Sequence, residues 1–513
     1  MDIDKNNLPD DPVELKKMLL NLSEEHYHLQ EKYKSLQRML YGKKSEKLTP
    51  EDEHQMRLFN ESEDGYSEEE QPEKQAAETT EVKNHSRKKR GRKPLPDYID
   101  REEIIHDLSD EEKACPCCGT ERPVIGEETT EEFDIIPPKM IVNKHIRKKY
   151  GPCTCEEFED KEIPEIKKAA MPPRLIPQGI ASAGLVAYTV TAKFCDALPF
   201  YRQSKIFERL DIELSRATLC NWSMLAAEKC KPLIDLMIEE IKGGPVIRMD
   251  ETSLQVLKEP GRKAESKSYM WVFMGYTAEN KPLLLYQYHP TRSGEVPDKF
   301  LKDYSGYLQT DGYAGYNKAA DKNDIIHVGC LAHARRYFEN AYKLNKKSKV
   351  GHKGLDYIQK IYAIEKKLRE ADLDVVKFIK TRRKEVTPVL DAFYNWLQSQ
   401  VDSVAPKSKA GEAIRYTLDE WEKLNKYLDH FLLTPDNNLT ENAIRPFVMG
   451  RKNWLFSNTP RGAHSSSVLY SLIESAKANG LEPYKYLRYI FDQLPLVETR
   501  DGYRALLPDR VIL

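Results

Sequence analysis

Three consecutive runs starting at Pro245, "PVIRMDETSLQVL", "SYMWVFMGY" and "PLLLYQYHP", constrain this chain more than anything else in it. Each is strand-length, rich in β-branched and aromatic residues, and bounded by turn signals. They predict three adjacent strands. A helix is predicted over "EVPDKFLKDY". A short strand in "GYLQTDGYAGY" then ends on Asp311 at an Asp-Gly turn, and a fifth strand, "DIIHVGC", leads into a helix at "LAHARRYFENAY". Asp250 falls in the middle of the first strand, after Val246, Ile247 and Met249. A carboxylate among such neighbours needs a partner or a cation. Glu251 points to the opposite face by alternation and reads as a supporting acid.

Three neighbouring strands followed by alternating helix and strand is the order of an RNase H-like α/β domain. In that order the fourth strand lies beside the first, which makes Asp250 and Asp311 neighbours. A third acid is then expected from a helix beyond the fifth strand. Between Cys330 and Phe431 the charge density of "YIQKIYAIEKKLREADLDVVKFIKTRRKEV" fits a solvated helical insertion rather than a core. The fold is expected to resume near Leu432 and to reach "TPDNNLTENAIRPFVMGRKNWLFS". There Glu441 is framed by Asn437, Asn438 and Asn442. Arg445 follows one turn later, either as an i,i+4 ion partner of Glu441 or as a phosphate contact. Arg451, Lys452 and Trp454 have the charge and the ring to track a DNA strand. Cys330 and His333 form a C-x-x-H pair that is either packed core or part of the site.

The chain has 513 residues, too many for one compact core, so several domains are expected. Leu15, Leu19, Leu22, His26, Leu29, Tyr33, Leu36 and Leu40 alternate at four-three spacing. This is a heptad seam, for a parallel zipper between two copies or for packing on the body. An acidic run, "ESEDGYSEEEQPE", precedes the basic "KNHSRKKRGRK" in a stretch with too few apolar residues to fold. Arg90 and Arg92 flank Gly91 there, as in a minor-groove hook or a plain solvated linker. Cys115 and Cys118 form a C-x-x-C knuckle, and Cys153 and Cys155 complete four thiolates for a structural Zn²⁺. The C-x-C half is unusual, which leaves Cys117 as an alternative ligand. In "LPFYRQSKIFERLDIELSRATLCNWSMLAAEKC" a helix breaks at "LDIEL" and a second starts after Ser215, a predicted N-cap. This is either a helix-turn-helix presenting Arg216, Thr218 and Asn221 to DNA, or an ordinary helical hairpin. The polar N-terminus is not a signal peptide and no stretch is long enough to span a bilayer. The expected location is therefore cytoplasmic, bacterial and nucleoid-associated.

The segments "RMDET", "LQTDGYAGY", "CLAHARR" and "DNNLTENAIRPFVMGRKNWLFS" resemble the DDE transposases of the insertion sequence 66 family. So do "YGKKSEKL", "GRKPLP", "CPCCG" and "LPFYRQSKIFERL", and the resemblance runs over nearly the whole chain. It implies a multidomain α+β protein. The expected parts are a coiled coil over 1–48, an acidic then basic linker over 49–93, a zinc ribbon over 94–168 and a helix-turn-helix region over 169–242. An RNase H-like core in two parts, 243–330 and 431–495, surrounds a helical insertion at 331–430, and a tail occupies 496–513. Carried over by motif, the catalytic and Mg²⁺- or Mn²⁺-binding acids are Asp250, Asp311 and Glu441. The implied activity is cleavage at DNA 3′ ends and strand transfer. The implied partners are terminal inverted repeats, target DNA, a second copy through the coiled coil, and accessory transposition proteins. The competing readings are a non-catalytic DNA-binding regulator and a nuclease without strand transfer.

Overall fold

The computed structural model describes residues 11–41, 139–150, 166–321, 324–345 and 349–513. Helix α1, Pro12–Tyr41, opens at a proline, the residue best tolerated in a first helical turn. Of its seam, Leu19, Leu22, Leu29 and Tyr33 stand exposed. In a separate unit, the two-residue strands Lys149–Tyr150 and Lys167–Lys168 pair antiparallel.

The larger unit includes residues 172–513. From residue 172 the chain runs through four helices: α2 Ala183–Phe194, α3 Phe200–Glu208, α4 Arg216–Lys229 and α5 Lys231–Gly243. Three of these starts have a local cause. Ser182 accepts from Leu185 N at α2, and Ser215 accepts from Thr218 N (3.1 Å) at α4, as its sequence position predicts. Pro232 supplies the first turn of α5.

The sheet follows. Strands β1 Val246–Gln255, β2 Lys267–Tyr276 and β3 Pro282–His289 form an antiparallel meander. β4 Gly306–Gln309 and β5 Ile325–Val328 add in parallel on the other side of β1, giving the order β3-β2-β1-β4-β5. Helices α6 Glu295–Phe300 and α7 Asn317–Ala320 lie in the connections. β1 is central, and Val246, Ile247 and Met249 are fully buried, as a strand covered on both faces requires. After β5 the chain runs through α8 Leu331–Leu344, α9 Lys349–Glu370, α10 Val375–Gln400, α11 Lys409–Asp419 and α12 Trp421–Asn425. It then returns through α13 Asn438–Trp454, α14 Pro460–Ala478, α15 Pro483–Gln493 and α16 Arg500–Ala505.

Two findings go beyond the sequence reading. First, α9 and α10 are not simply solvated. Ile358, Ile361, Val386, Leu390, Phe393 and Leu397 are buried and join the same core as the sheet. Long Lys and Glu side chains on the outer faces hid this stripe. Second, the edge strand β3 is covered by hydroxyls. Ser471 Oγ accepts from Tyr286 N, and Ser475 Oγ accepts from Leu284 N, both at 2.8 Å. Asn479 Nδ2 donates to Pro282 O (2.8 Å). The serines of α14 therefore satisfy a row of strand groups that would otherwise invite another chain.

Candidate active site

β1 and β4 pair in parallel with Val246 against Tyr307, Ile247 against Leu308 and Arg248 against Gln309. Continuing that register by two residues sets Asp250 alongside Asp311. Asp250 accepts from Glu251 N through Oδ1 (2.8 Å), and Asp311 accepts from Tyr313 N through Oδ1 (3.0 Å). The second bond is the local turn that aspartate favours before glycine. Burial pushes the Asp250 carboxyl up to about 8, with Glu251, Asp311 and Glu441 adding like-charge repulsion against the lowering bond from Glu251 N. The three sequence-selected acids thus share one electrostatic field.

Glu441 lies in the first turn of α13. Two of the asparagines around it, Asn437 and Asn438, tie down the helix start. Asn437 Nδ2 donates to Met249 O (3.1 Å), tying the helix start to β1 one residue before Asp250. Asn437 also accepts from Thr440 Oγ1 (2.9 Å), while Asn438 donates to both carboxylate oxygens of Asp436.

Ahead of this helix, three successive carbonyls are clamped by side chains. Arg248 Nη2 donates to Leu432 O, Arg369 Nη2 (2.7 Å) and Arg382 Nη2 (3.1 Å) donate to Leu433 O, and Gln309 Nε2 donates to Thr434 O (2.6 Å). Arg248 is fully buried on β1 and also donates to Gln309 Oε1 and Tyr276 Oη, each at 2.9 Å. Arg382, fully buried on α10, is ion-paired with Glu365 of α9 and donates to the carbonyls of Tyr427 and His430. Sequence inspection missed all of these clamps. A lone arginine in an apolar strand was the one available signal.

Glu251 is almost fully enclosed. It pairs with Arg292 and accepts from Tyr316 Oη. The Arg292 guanidinium lies 3.9 Å from the Tyr313 ring centroid, and Tyr313 Oη donates to Arg292 O (2.9 Å). This clamp joins β1 to the turn after Asp311, in keeping with a supporting acid. Burial raises the Glu251 carboxyl, and Tyr316 and Arg292 oppose that rise. Cys330 is buried and accepts from Asn437 N through Sγ (3.3 Å). His333 Nδ1 is buried without a hydrogen-bond partner among the described residues. Burial and then Arg336 lower the His333 imidazole, while Asp311 and Glu441 pull it the other way. His333 therefore sits in the field of the acids, and Cys330 braces the Glu441 helix.

The chemistry of three hard carboxylate oxygens fits a hard divalent cation, which would also offset the burial of Asp250. Among the described residues, however, no three His, Cys, Asp or Glu side chains already converge into a ligand shell. Asp250 and Asp311 each hold one oxygen on a backbone N–H.

Of the other selected residues, Arg216 and Asn221 are exposed on α4, and Thr218 is half-buried and hydrogen-bonded to Ser215 Oγ (2.9 Å). Arg445 and Lys452 are exposed on α13. Arg451 instead braces β1, donating to Thr252 Oγ1 (3.2 Å) and to Ser253 O. Trp454 packs edge-on against Phe447 (5.5 Å between centroids), with Lys193 Nζ over its ring. These inward contacts take Arg451 and Trp454 away from the strand-tracking role read from sequence. Arg90, Arg92, Cys115, Cys117, Cys118, Cys153 and Cys155 lie outside the described residues.

Residues 178–465 match the model described as "Transposase IS66 family". Residues 471–508 match "IS66 C-terminal element", 112–156 the "zinc-finger binding domain of transposase IS66", and 28–104 "Transposase C of IS166 homeodomain". Two uncharacterized proteins of Sinorhizobium fredii are similar over most of their length. One, y4qI, is 28% identical over 488 residues, covering 93% of this chain and 87% of the relative. The other, y4jD, is 31% identical over 425 residues, 81% of each.

Proposed function

This chain belongs to the IS66 family of transposases, and from that premise we propose that Asp250, Asp311 and Glu441 are the catalytic acids of an RNase H-like core formed by residues 243–330 and 431–495. The proposed reaction is hydrolysis at the element's 3′ ends followed by attack of those 3′-hydroxyls on target DNA. One observation carries it. The parallel register of β1 with β4, continued by two residues, supports a pairing of Asp250 with Asp311, and the field of Glu441 reaches the same half-buried carboxyl. A divalent cation, Mg²⁺ or Mn²⁺, held by these acids supplies Lewis-acid stabilisation of charge on the phosphoryl oxygens.

The remaining work falls to the chain's own residues. Glu251 N and Tyr313 N each hold one oxygen of the two aspartates, and Asn437 holds the helix of the third acid against β1. His333 offers a half-buried imidazole in the field of the acids, and Arg445 and Lys452 offer charge to phosphates. α4 presents Arg216, Thr218 and Asn221 to the terminal repeats, and Arg90 and Arg92 serve a minor groove. Cys115, Cys118, Cys153 and Cys155 hold Zn²⁺, and the α1 seam pairs two copies.

The test is metal-dependent cleavage and joining of a duplex carrying the element's ends, comparing wild type with Asp250→Asn and Glu441→Gln. Both variants should lose cleavage while retaining DNA binding. Full activity in either removes that residue from the assignment. Cleavage that never yields joined product on a supercoiled target makes the protein a nuclease only. Binding without cleavage makes it a regulator.

A further inference from the structure

We propose that Leu455 and Phe456 form an apolar wedge that enters bound duplex DNA and unstacks one base step, about five nucleotides from the cut phosphate. The proposal rests on the DNA-cutting reading for its ligand, and on the end of α13 for its geometry.

α13 stops at Trp454, whose ring turns inward. The next two side chains turn outward, with Leu455 64% and Phe456 41% exposed. Leu455 has φ 67° and ψ −52°, and Phe456 N donates to Trp454 O (2.9 Å). This is a γ-turn of the strained hand, in a backbone region that a bulky side chain seldom occupies. Glycine would adopt it with less strain. Leucine is held there instead, facing solvent.

The tip is rigidly mounted. Leu455 N donates to Arg451 O (2.7 Å) behind it. Ahead, Ser457 N donates to Gln255 O (3.0 Å), Leu257 N to Ser457 O (3.0 Å) and Lys258 N to Asn458 O (2.9 Å). A loose loop would yield on contact, whereas this tip is stapled to the far end of the strand carrying Asp250.

Its surroundings suit a nucleic acid. Lys452 and Lys258 are exposed beside it, and neither has an ion pair among the described residues. The nearby acid, Glu259, is buried and engaged by Arg262, Ser268 and Tyr288. Cations for phosphates around an apolar point are what a base-step wedge requires. From Asp250 to Gln255 an extended strand advances roughly 17 Å at about 3.4 Å per residue. One DNA strand covers that distance in about five nucleotides.

The experiment uses full-length protein, without added metal, on a duplex carrying one end of the element with 2-aminopurine placed at single positions. Wild type should raise fluorescence at one step near the expected distance. Phe456→Ala should abolish the rise and weaken binding about tenfold. A mismatch at that step should bring the variant back to within about twofold of wild type, because an unpaired step needs no wedge. Leu455→Gly should weaken the rise without lowering the melting temperature. A rise unchanged in both variants, or absent from DNA-bound wild type, overturns the proposal. Because the readout needs no cleavage, a protein that unstacks this step but never cuts with Mg²⁺ defeats the catalytic reading and leaves the wedge standing.

Discussion

Asp250 and Asp311 reach their places by a different route from Glu441. The two aspartates lie two residues beyond a register of three residue pairs between adjacent strands. Glu441 is held by contacts that cross the chain. The carbonyl of Leu432 accepts from Arg248, 184 residues earlier, and that of Leu433 accepts from Arg369 and Arg382 in the helical insertion. Backbone ladders set the first pair, whereas guanidinium groups, two of them fully buried, clamp the segment that leads to the third acid. The insertion is therefore part of the positioning apparatus and more than a spacer.

The largest expected effect tests that difference at Arg382. Arg382→Met leaves Glu365 buried without its main partner, and should cost about 3–5 kcal/mol in chemical denaturation. Replacing both, Arg382→Met with Glu365→Gln, should restore much of the stability but not cleavage. If cleavage returns as well, the insertion does not position Glu441.

A smaller effect is expected at the junction between the two regions. Asn437→Ala removes the bond to Met249 O and should cost about 1–3 kcal/mol of stability. Cleavage should fall further than that loss explains, because Asn437 sets α13 against β1. Cleavage that simply tracks the folded fraction would show that the helix needs no such tie.

On the strand side, the comparison can be sharpened with pH. His327 on β5 pairs with Thr310 Oγ1 (2.8 Å), and burial, then Lys423, push its imidazole down to about 4. The fold therefore holds it neutral. As pH falls from 6.5 to about 4, the unfolded chain takes up a proton that the folded chain refuses, so stability drops across that window. The expected loss is about 2 kcal/mol, read from denaturation midpoints. His327→Gln should flatten that part of the profile. An unchanged profile would mean that another group titrates there.

The smallest effect lies outside both regions. Ser215→Ala removes the cap of α4 and should cost about 1 kcal/mol. Binding to terminal-repeat DNA should weaken with it if α4 carries Arg216 and Asn221 into a groove. Unaltered binding would favour an ordinary helical hairpin.

What could be read from the residues was what depends on near neighbours. Five strands, their order of appearance, the Ser215 cap and the Asp-Gly turn follow from local pattern and turn chemistry. Membership of the transposase family was also legible, because its motifs are long and contiguous. The roles of Arg451 and Trp454 were not. Both lie in a basic, aromatic stretch that reads as a DNA-tracking surface, yet one braces β1 and the other packs under Lys193. Helical periodicity assigns a face, but which face is inward depends on what lies across from it. The partners of Asn437 and Asn438, Met249 O and Asp436, are likewise known only after folding.

By itself, then, the sequence determined the elements, the family and the identity of three candidate acids. Those rest on side-chain alternation, turn chemistry and motif, which act within a few residues. The tertiary structure decided how the acids are held. It set Asp250 in line with Asp311 across β1 and β4, clamped the approach to Glu441 with Arg248, Arg369 and Arg382, and turned Leu455 and Phe456 outward. The physical reason is that a buried arginine or asparagine must satisfy its donors wherever the packed chain offers carbonyls. In this protein those carbonyls come from segments far apart in sequence.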